Sequence, residues 1–347
     1  MPRLGTRSRS SDGGNAGVAR EIAVFSGRAH LSLAEAVCQE LHIPLGQRQL
    51  FDFTNGQTFV KYEQMVRDRD VFIIQPGAAL PNGSVNDAIM ELLIMIEAAR
   101  RASAWRVTAV MPYFAYARSD KKDQPRVPIT ARLIADLLVA AGVNRVLTLD
   151  LHAGQIQGFF PATVPVDEVT AFHLLCDHIS SRRFRNLVVV ATDLGFAKRA
   201  KNFAQVLGAP VAFVAKSRLG NTDLTEAEHL IGDVAGRVAL LVDDEIDTAG
   251  SITSAARICI EHGATEVYAA ATHGLFSGMA IERLAQSPIT ELIVTDSLPQ
   301  HTVCERLPKV TVLPIARLIA EAIHRIHEGE SVGALYRTLY GDWLPVS

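Results

Sequence analysis

From Glu21 onward, short apolar runs bounded by turn residues alternate with longer segments whose apolar positions recur every three or four residues, the signature of parallel βα units. The runs predict strands at 22–25, 71–75, 107–111 and 145–149 and, after a proline-containing stretch at 159–167, at 187–191, 211–215, 238–242, 267–271 and 292–295. Ser32 with Glu35 reads as a capping box for the first helix, and the helical pattern over 129–141 stops at Gly142. The restart after 159–167 divides the chain into two α/β domains, 20–166 and 167–313, each an open doubly wound parallel sheet. A helix and tail at 314–347 follow, with the helix expected to pack back on the first domain. Ligands of such sheets bind beyond the carboxyl ends of the strands, so the turns there are the places to look for chemistry.

Composition narrows the class. A chain of 347 residues, 48% hydrophobic, can bury a large core and is long enough for two domains. The greasiest segment, 88–99, contains Glu91 and Glu97 and reads as a helix buried on most of its circumference, not as a bilayer span. A formal charge of −3 gives no broad attraction to nucleic acid, although small anions need only a local grip. Cys38, Cys176, Cys259 and Cys304 are scattered and form no CxxC pair, which argues against a disulfide framework or a zinc site and points to a reducing cytoplasm. Residues 1–19 are rich in Ser, Gly and Arg and lack the apolar core of a secretory signal; they are expected to be a disordered tail, with an organellar targeting peptide as the alternative.

The strongest chemical signal follows the run VALLV. Asp243 and Asp244 are succeeded by Asp247, Thr248, Ala249, Gly250 and Ser251, and a helical pattern begins at once. Small residues let the backbone close around a phosphate, the unpaired N–H groups of a first helical turn point into the loop, and the dipole there favours an anion. Thr248 and Ser251 add hydroxyl donors. The upstream acids repel phosphate but accept hydrogen bonds from ribose hydroxyls or hold a cation, a combination suited to a 5-phosphoribosyl group. Each residue alone is equally consistent with helix capping or a solvated strand end.

This loop resembles that of the ribose-phosphate pyrophosphokinases, and it also occurs in type I phosphoribosyltransferases. Further motifs resemble the former only, and together they span about residues 20–330. The resemblance implies two domains of the type I phosphoribosyltransferase kind related by internal duplication. In PYFAYARSDKKD it makes Arg118, Ser119 and Lys121 ATP ligands, Ser119 standing where the family usually has Gln. In LDLHAGQIQGFF it assigns His152 to the magnesium and nucleotide site, with Asp193 the matching carboxylate of the second half. TDLGFAKRAKN resembles the loop that receives the diphosphate, with Phe196 after Gly195 where the family has a second glycine. In AKSRLGNTDLTEAEH, Lys216 and Arg218 become the candidates for stabilising the migrating group, Arg218 also contacting ribose 5-phosphate. FDFTNGQTFV resembles the adenine-reading hairpin: Phe53 to stack, and Asn55, Gly56 and Gln57 to meet the base edge, Gln57 replacing the usual Glu.

The implied activity is transfer of the diphosphoryl group of Mg-ATP to the anomeric hydroxyl of ribose 5-phosphate in a homo-oligomer built on dimers or hexamers, with neither nucleic acid nor membrane as partner. A phosphoribosyltransferase would not need the hairpin, Arg118 or a duplicated half. A regulatory or substrate-altered paralogue is the other alternative, suggested by Gln57, Ser119 and Phe196.

Overall fold

The structure is a computed structural model that describes residues 20–193, 195–218 and 226–340; the tail expected at 1–19 and the middle of the polar loop after Arg218 lie outside the described residues. In the first half β1 (Ile22–Ser26) leads to α1 (Leu31–Glu40), a hairpin of β2 (Arg48–Asp52) and β3 (Thr58–Tyr62), β4 (Asp70–Ile74), α2 (Val85–Arg101), β5 (Arg106–Met111), α3 (Thr130–Ala140), β6 (Arg145–Leu149) and β7 (Val166–Val169). The chain then crosses through α4 (Phe172–Ser181) to β8 (Leu187–Ala191), α5 (Ala197–Leu207), β9 (Val211–Arg218), β10 (Glu226–Ile231), β11 (Val238–Ile246), α6 (Gly250–Glu261) and β12 (Glu266–Gly274). It closes with α7 (Ala280–Ala285), β13 (Ile289–Thr295), α8 (His301–Arg306), β14 (Val310–Leu313), α9 (Ala316–Glu328) and α10 (Leu335–Tyr340).

The chain is thus α/β with two large sheets and the separate two-stranded β2–β3 hairpin. The first is parallel in the order β1-β4-β5-β6-β7. The second, β10-β9-β8-β11-β12-β13-β14, is parallel except for its edge strand β10. Strand order in the second sheet reverses between β8 and β11, so their carboxyl ends frame a crevice at the switch point, where open α/β sheets take their ligands.

Alternation within the strands shows why both faces are covered. In β11, Ala239 and Leu241 face a cluster with Ile252 and Ala256 of α6, while Leu240 and Val242 face one with Leu175 of α4 and Phe203 of α5. In the first sheet Val71 and Ile73 pack with Leu92 and Met95 of α2. On the opposite face, Phe72 and Ile74 pack with Leu33 and Val37 of α1 and with Ile319 and Ile323 of α9. Helix α9 therefore completes the first domain's core. Fully buried Asp70 ties it down, accepting from Arg106 and from His327 Nδ1 at 2.9 Å, while Arg106 Nη2 donates to the Ile326 carbonyl at 2.9 Å.

Two local expectations change. The capping box at Ser32 does not form: His30 is the N-cap of α1, its Nε2 lies 2.8 Å from the Asp296 carbonyl of the second domain, and Ser32 sits inside the helix with its hydroxyl 3.2 Å from His30 Nδ1. The capping box that does form is Ser84 with Asp87 at the start of α2. Finally, β11 runs four residues past Val242, because its polar continuation pairs with β12 as far as Ile246 opposite Gly274.

Candidate active site

The carboxyl ends of β8 and β11 open into a cavity of about 410 Å³, lined by Asp193, Gly195 and Phe196 after β8, by 243–252 from β11 into α6, and by Arg118 and His152 from the first domain. Its floor is the tight turn 247–249. Ala249 adopts a left-handed backbone at φ +59°, rare for a residue with a side chain, and this sharp reversal lets α6 start immediately at Gly250. Asp247 accepts from the Ser277 hydroxyl, and Arg283 Nη1 donates to the Thr248 carbonyl at 2.8 Å, so the turn is braced from behind. Gly250, Ser251 and Ile252, the first residues of α6, line the cavity, and a helix start carries the unpaired N–H groups that an anion site requires.

Charge is arranged across the two domains. His152 Nδ1 donates to Asp244 Oδ2 at 2.6 Å, and this bond raises the imidazole above its ordinary pKa against the opposing effect of burial. Arg118 Nη1 donates to Asp247 Oδ2 at 2.9 Å, and its Nε lies 3.2 Å from Glu245 Oε1. Asp243, buried and next to Asp244, is pushed well above the usual carboxylate range by desolvation and by its neighbour, while the Thr192 hydroxyl donates to it. Burial pushes Asp244 the same way, but the bonds from His152 and Asp243 outweigh it and hold Asp244 low. Adjacent carboxylates with divergent proton affinities mean that one oxygen of the pair can carry a proton at neutral pH while the other stays anionic.

The predicted residues do not all converge. Arg118, His152, Asp193, Asp243, Asp244, Asp247, Thr248, Ala249, Gly250 and Ser251 share the cavity. The Ser119 hydroxyl instead accepts from Thr130 N at 3.2 Å, at the start of α3, and Lys121 is exposed outside the cavity lining. Phe53, Asn55, Gly56 and Gln57 form the exposed tip of the β2–β3 hairpin and line no part of this cavity. There Asn55 Oδ1 accepts from Gln57 N at 3.1 Å, and Gly56 takes the left-handed conformation, φ +82°, that the turn demands. The backbone of Lys216 and Arg218 is paired with Glu228 and Glu226 of β10; their side chains lie outside the described residues.

Phe196 lines the cavity and also packs into the second domain. Its ring is buried in a cluster with Leu175 and Phe203, and its backbone N–H donates to Asp193 Oδ1 at 2.9 Å. Residues missed in the sequence also reach the site. Arg199, one helical turn after Phe196, lines the cavity and donates to the Leu151 carbonyl at 2.8 Å; that spacing was its one available signal. Glu245 and Tyr113 meet across the domain boundary at 3.2 Å, with no signal in linear order. A larger space of about 1070 Å³ adjoins the cavity behind Phe196, Asp243 and Asp244, but it lacks the 247–251 loop.

A family model of the N-terminal domain of ribose phosphate pyrophosphokinase matches residues 22–142, and one of the phosphoribosyl synthetase-associated domain matches residues 224–337. A ribose-phosphate pyrophosphokinase of Rhodopirellula baltica is 48% identical over 320 residues, 92% of this chain and 99% of the relative. Ribose-phosphate pyrophosphokinase A of Dictyostelium discoideum is 44% identical, covering 91% of this chain and 98% of its own length. The crystal structure of phosphoribosylpyrophosphate synthetase from Mycobacterium smegmatis superposes with a TM-score of 0.83 at 42% identity, covering 89% of this chain and 100% of that one.

Proposed function

The chain belongs to the ribose-phosphate pyrophosphokinase family of enzymes, and we propose that it transfers the diphosphoryl group of ATP to the anomeric hydroxyl of ribose 5-phosphate, giving 5-phosphoribosyl 1-diphosphate and AMP. One observation carries this reading: a single cavity joins a helix-N-terminal phosphate loop and its ribose-facing acids to cationic groups supplied by the other domain. The 247–251 turn and α6 hold the 5-phosphate, and Asp243 and Asp244 accept from the ribose hydroxyls. Arg118 and Arg199 meet the donor phosphates, and Lys216 and Arg218, at the end of β9, neutralise the migrating group. The anomeric oxygen bonds to the β-phosphorus as the bond to the α,β-bridging oxygen breaks, AMP leaves with that electron pair, and the hydroxyl proton passes to solvent.

His152 and Asp193 line the same cavity and fit magnesium with few protein ligands: Nδ1 is committed to Asp244, leaving Nε2, and Asp193 keeps one oxygen beyond that bonded to Phe196 N. No cluster of three metal-ligating side chains occurs among the described residues, which suits an ion that takes its other ligands from phosphates and water. When bound, magnesium offsets phosphate charge.

Assembly into a homo-oligomer belongs to this reading, because the base-reading hairpin lines no part of its own chain's cavity and needs a second copy to reach one. A cytoplasmic setting is in keeping with four free cysteines, three of them buried; no helix among the described residues is long and apolar enough to cross a membrane. The test is AMP release from ATP, ribose 5-phosphate and magnesium, repeated with other nucleotides and with and without inorganic phosphate. Strict dependence on ribose 5-phosphate supports the reading. Turnover with another nucleotide marks a substrate-altered paralogue, and no release marks a regulatory one.

A further inference from the structure

Glu245 carries a carboxylate whose side chain is only 6% exposed, on the last turn of sheet before the phosphate loop. Burial raises its pKa, and the charge of Asp244 adds to that, so keeping an acid here is costly. Arg118, His152 and Tyr113, all from the first domain, answer it, and two of them touch the carboxylate. The Tyr113 hydroxyl donates to Oε2 at 3.2 Å, and Arg118 Nε lies 3.2 Å from Oε1. Tyr113 is itself wedged edge-on against the buried His273 ring, 5.0 Å between centroids.

The two acids that hold Arg118 differ in kind. Asp247 lies in the ligand loop, is 27% exposed, and takes Nη1. Glu245 is nearly sealed from water in the wall of the same cavity and faces the Nε edge as an ion pair. An incoming phosphate competes with the more exposed Asp247 for Nη1, whereas the Glu245 carboxylate is the less accessible of the two. We propose that Glu245 is a positioning residue for the donor nucleotide: it anchors the Nε edge of Arg118 across the domain boundary, so that the guanidinium exchanges Asp247 for phosphate oxygens without losing its orientation. The proposal rests on the reading that this cavity takes ATP and ribose 5-phosphate.

The experiment is a double-mutant cycle on the full chain with Glu245→Gln and Arg118→Ala, measuring kcat and KM for each substrate and the melting temperature of every variant. Glu245→Gln keeps the bond from Tyr113 and removes the charge facing Arg118. It is expected to raise KM for ATP about tenfold and to leave KM for ribose 5-phosphate within about twofold. In the Arg118→Ala background the same change is expected to have no further effect. Tyr113→Phe, which loosens the other oxygen, should shift KM for ATP in the same direction by a smaller factor. Equal losses for both substrates, or effects that multiply in the double variant, overturn the assignment and leave Glu245 a structural acid. A wild-type chain that releases no AMP overturns the functional reading and this inference with it, so the two failures are distinct.

Discussion

His152 of the first domain and Asp244 of the second are joined by a hydrogen bond of 2.6 Å, so the imidazole proposed to hold magnesium and the carboxylate proposed to meet the ribose are held as one unit. Asp244→Asn removes the charge that orients His152 and an acceptor for the sugar. Its expected effect is a rise in KM for ribose 5-phosphate of about tenfold or more together with a fall in kcat. Steady-state kinetics that show unchanged kcat would detach the pair from turnover.

Lys216→Ala is expected to lower kcat by about two orders of magnitude or more while changing KM for ribose 5-phosphate little, as befits a group that meets charge developing in the transition state. The comparison needs both parameters from one titration. A proportionate loss of affinity would make Lys216 a binding residue only.

Protonation of buried histidines should cost the fold stability from near neutrality downward. Burial holds His30, His173 and His273 below the ordinary value of 6.5. Between that value and their lower folded values the unfolded chain binds more protons than the folded one, so their contribution is present above about pH 6.5 and lost as pH falls. His152, raised by Asp244, and Asp243, raised by burial and by Asp244, have the opposite sign: there the folded chain binds more protons, and each contribution fades as pH rises through the folded value. A single variant separates the two signs. His273→Gln should gain melting temperature relative to wild type as pH falls from 7.5 to 5.5. A difference between variant and wild type that does not change with pH would refute the assignment.

Glu91→Leu should cost about 3–5 kcal/mol. The wild-type carboxylate is fully buried and accepts from Arg28 N at 2.6 Å and from Gln75 Nε2 at 2.9 Å, besides pairing with the Arg28 guanidinium. Arg28 in turn donates to Asp52 at the end of β2, so the hairpin shares this anchor. Chemical denaturation compares the variant with Glu91→Gln, which keeps the shape and should lose less. Equal stability of Glu91→Leu and wild type would show that the buried acid is dispensable.

Legibility in the sequence followed the physics of each element. β8 and β11 are buried on both faces and therefore announce themselves as unbroken apolar runs. β7 is a short edge strand, Val-Asp-Glu-Val, paired on one side only and partly held by an ion pair between Arg145 and Asp167; it shows no such run and hides in the stretch that otherwise looked like a boundary. The 247–251 loop was readable because strand, turn and helix are contiguous there. The placement of Tyr113 against Glu245, 132 residues apart, depends on how two sheets dock, which no local pattern encodes. Ser119 illustrates the converse. It is Arg118's neighbour in sequence, yet its hydroxyl meets Thr130 at the start of α3 and it lies outside the cavity lining.

The packing of α9 on the first sheet bears on how the protein is made. Phe72 and Ile74 emerge from the ribosome early, but Ile319 and Ile323, which cover them, follow the whole second sheet in the chain. Through most of translation one face of the N-terminal sheet is left partly uncovered, a sticky surface of the kind that recruits chaperones or invites aggregation. Vectorial synthesis therefore cannot finish the first domain first; the domain begun earliest is completed with the second.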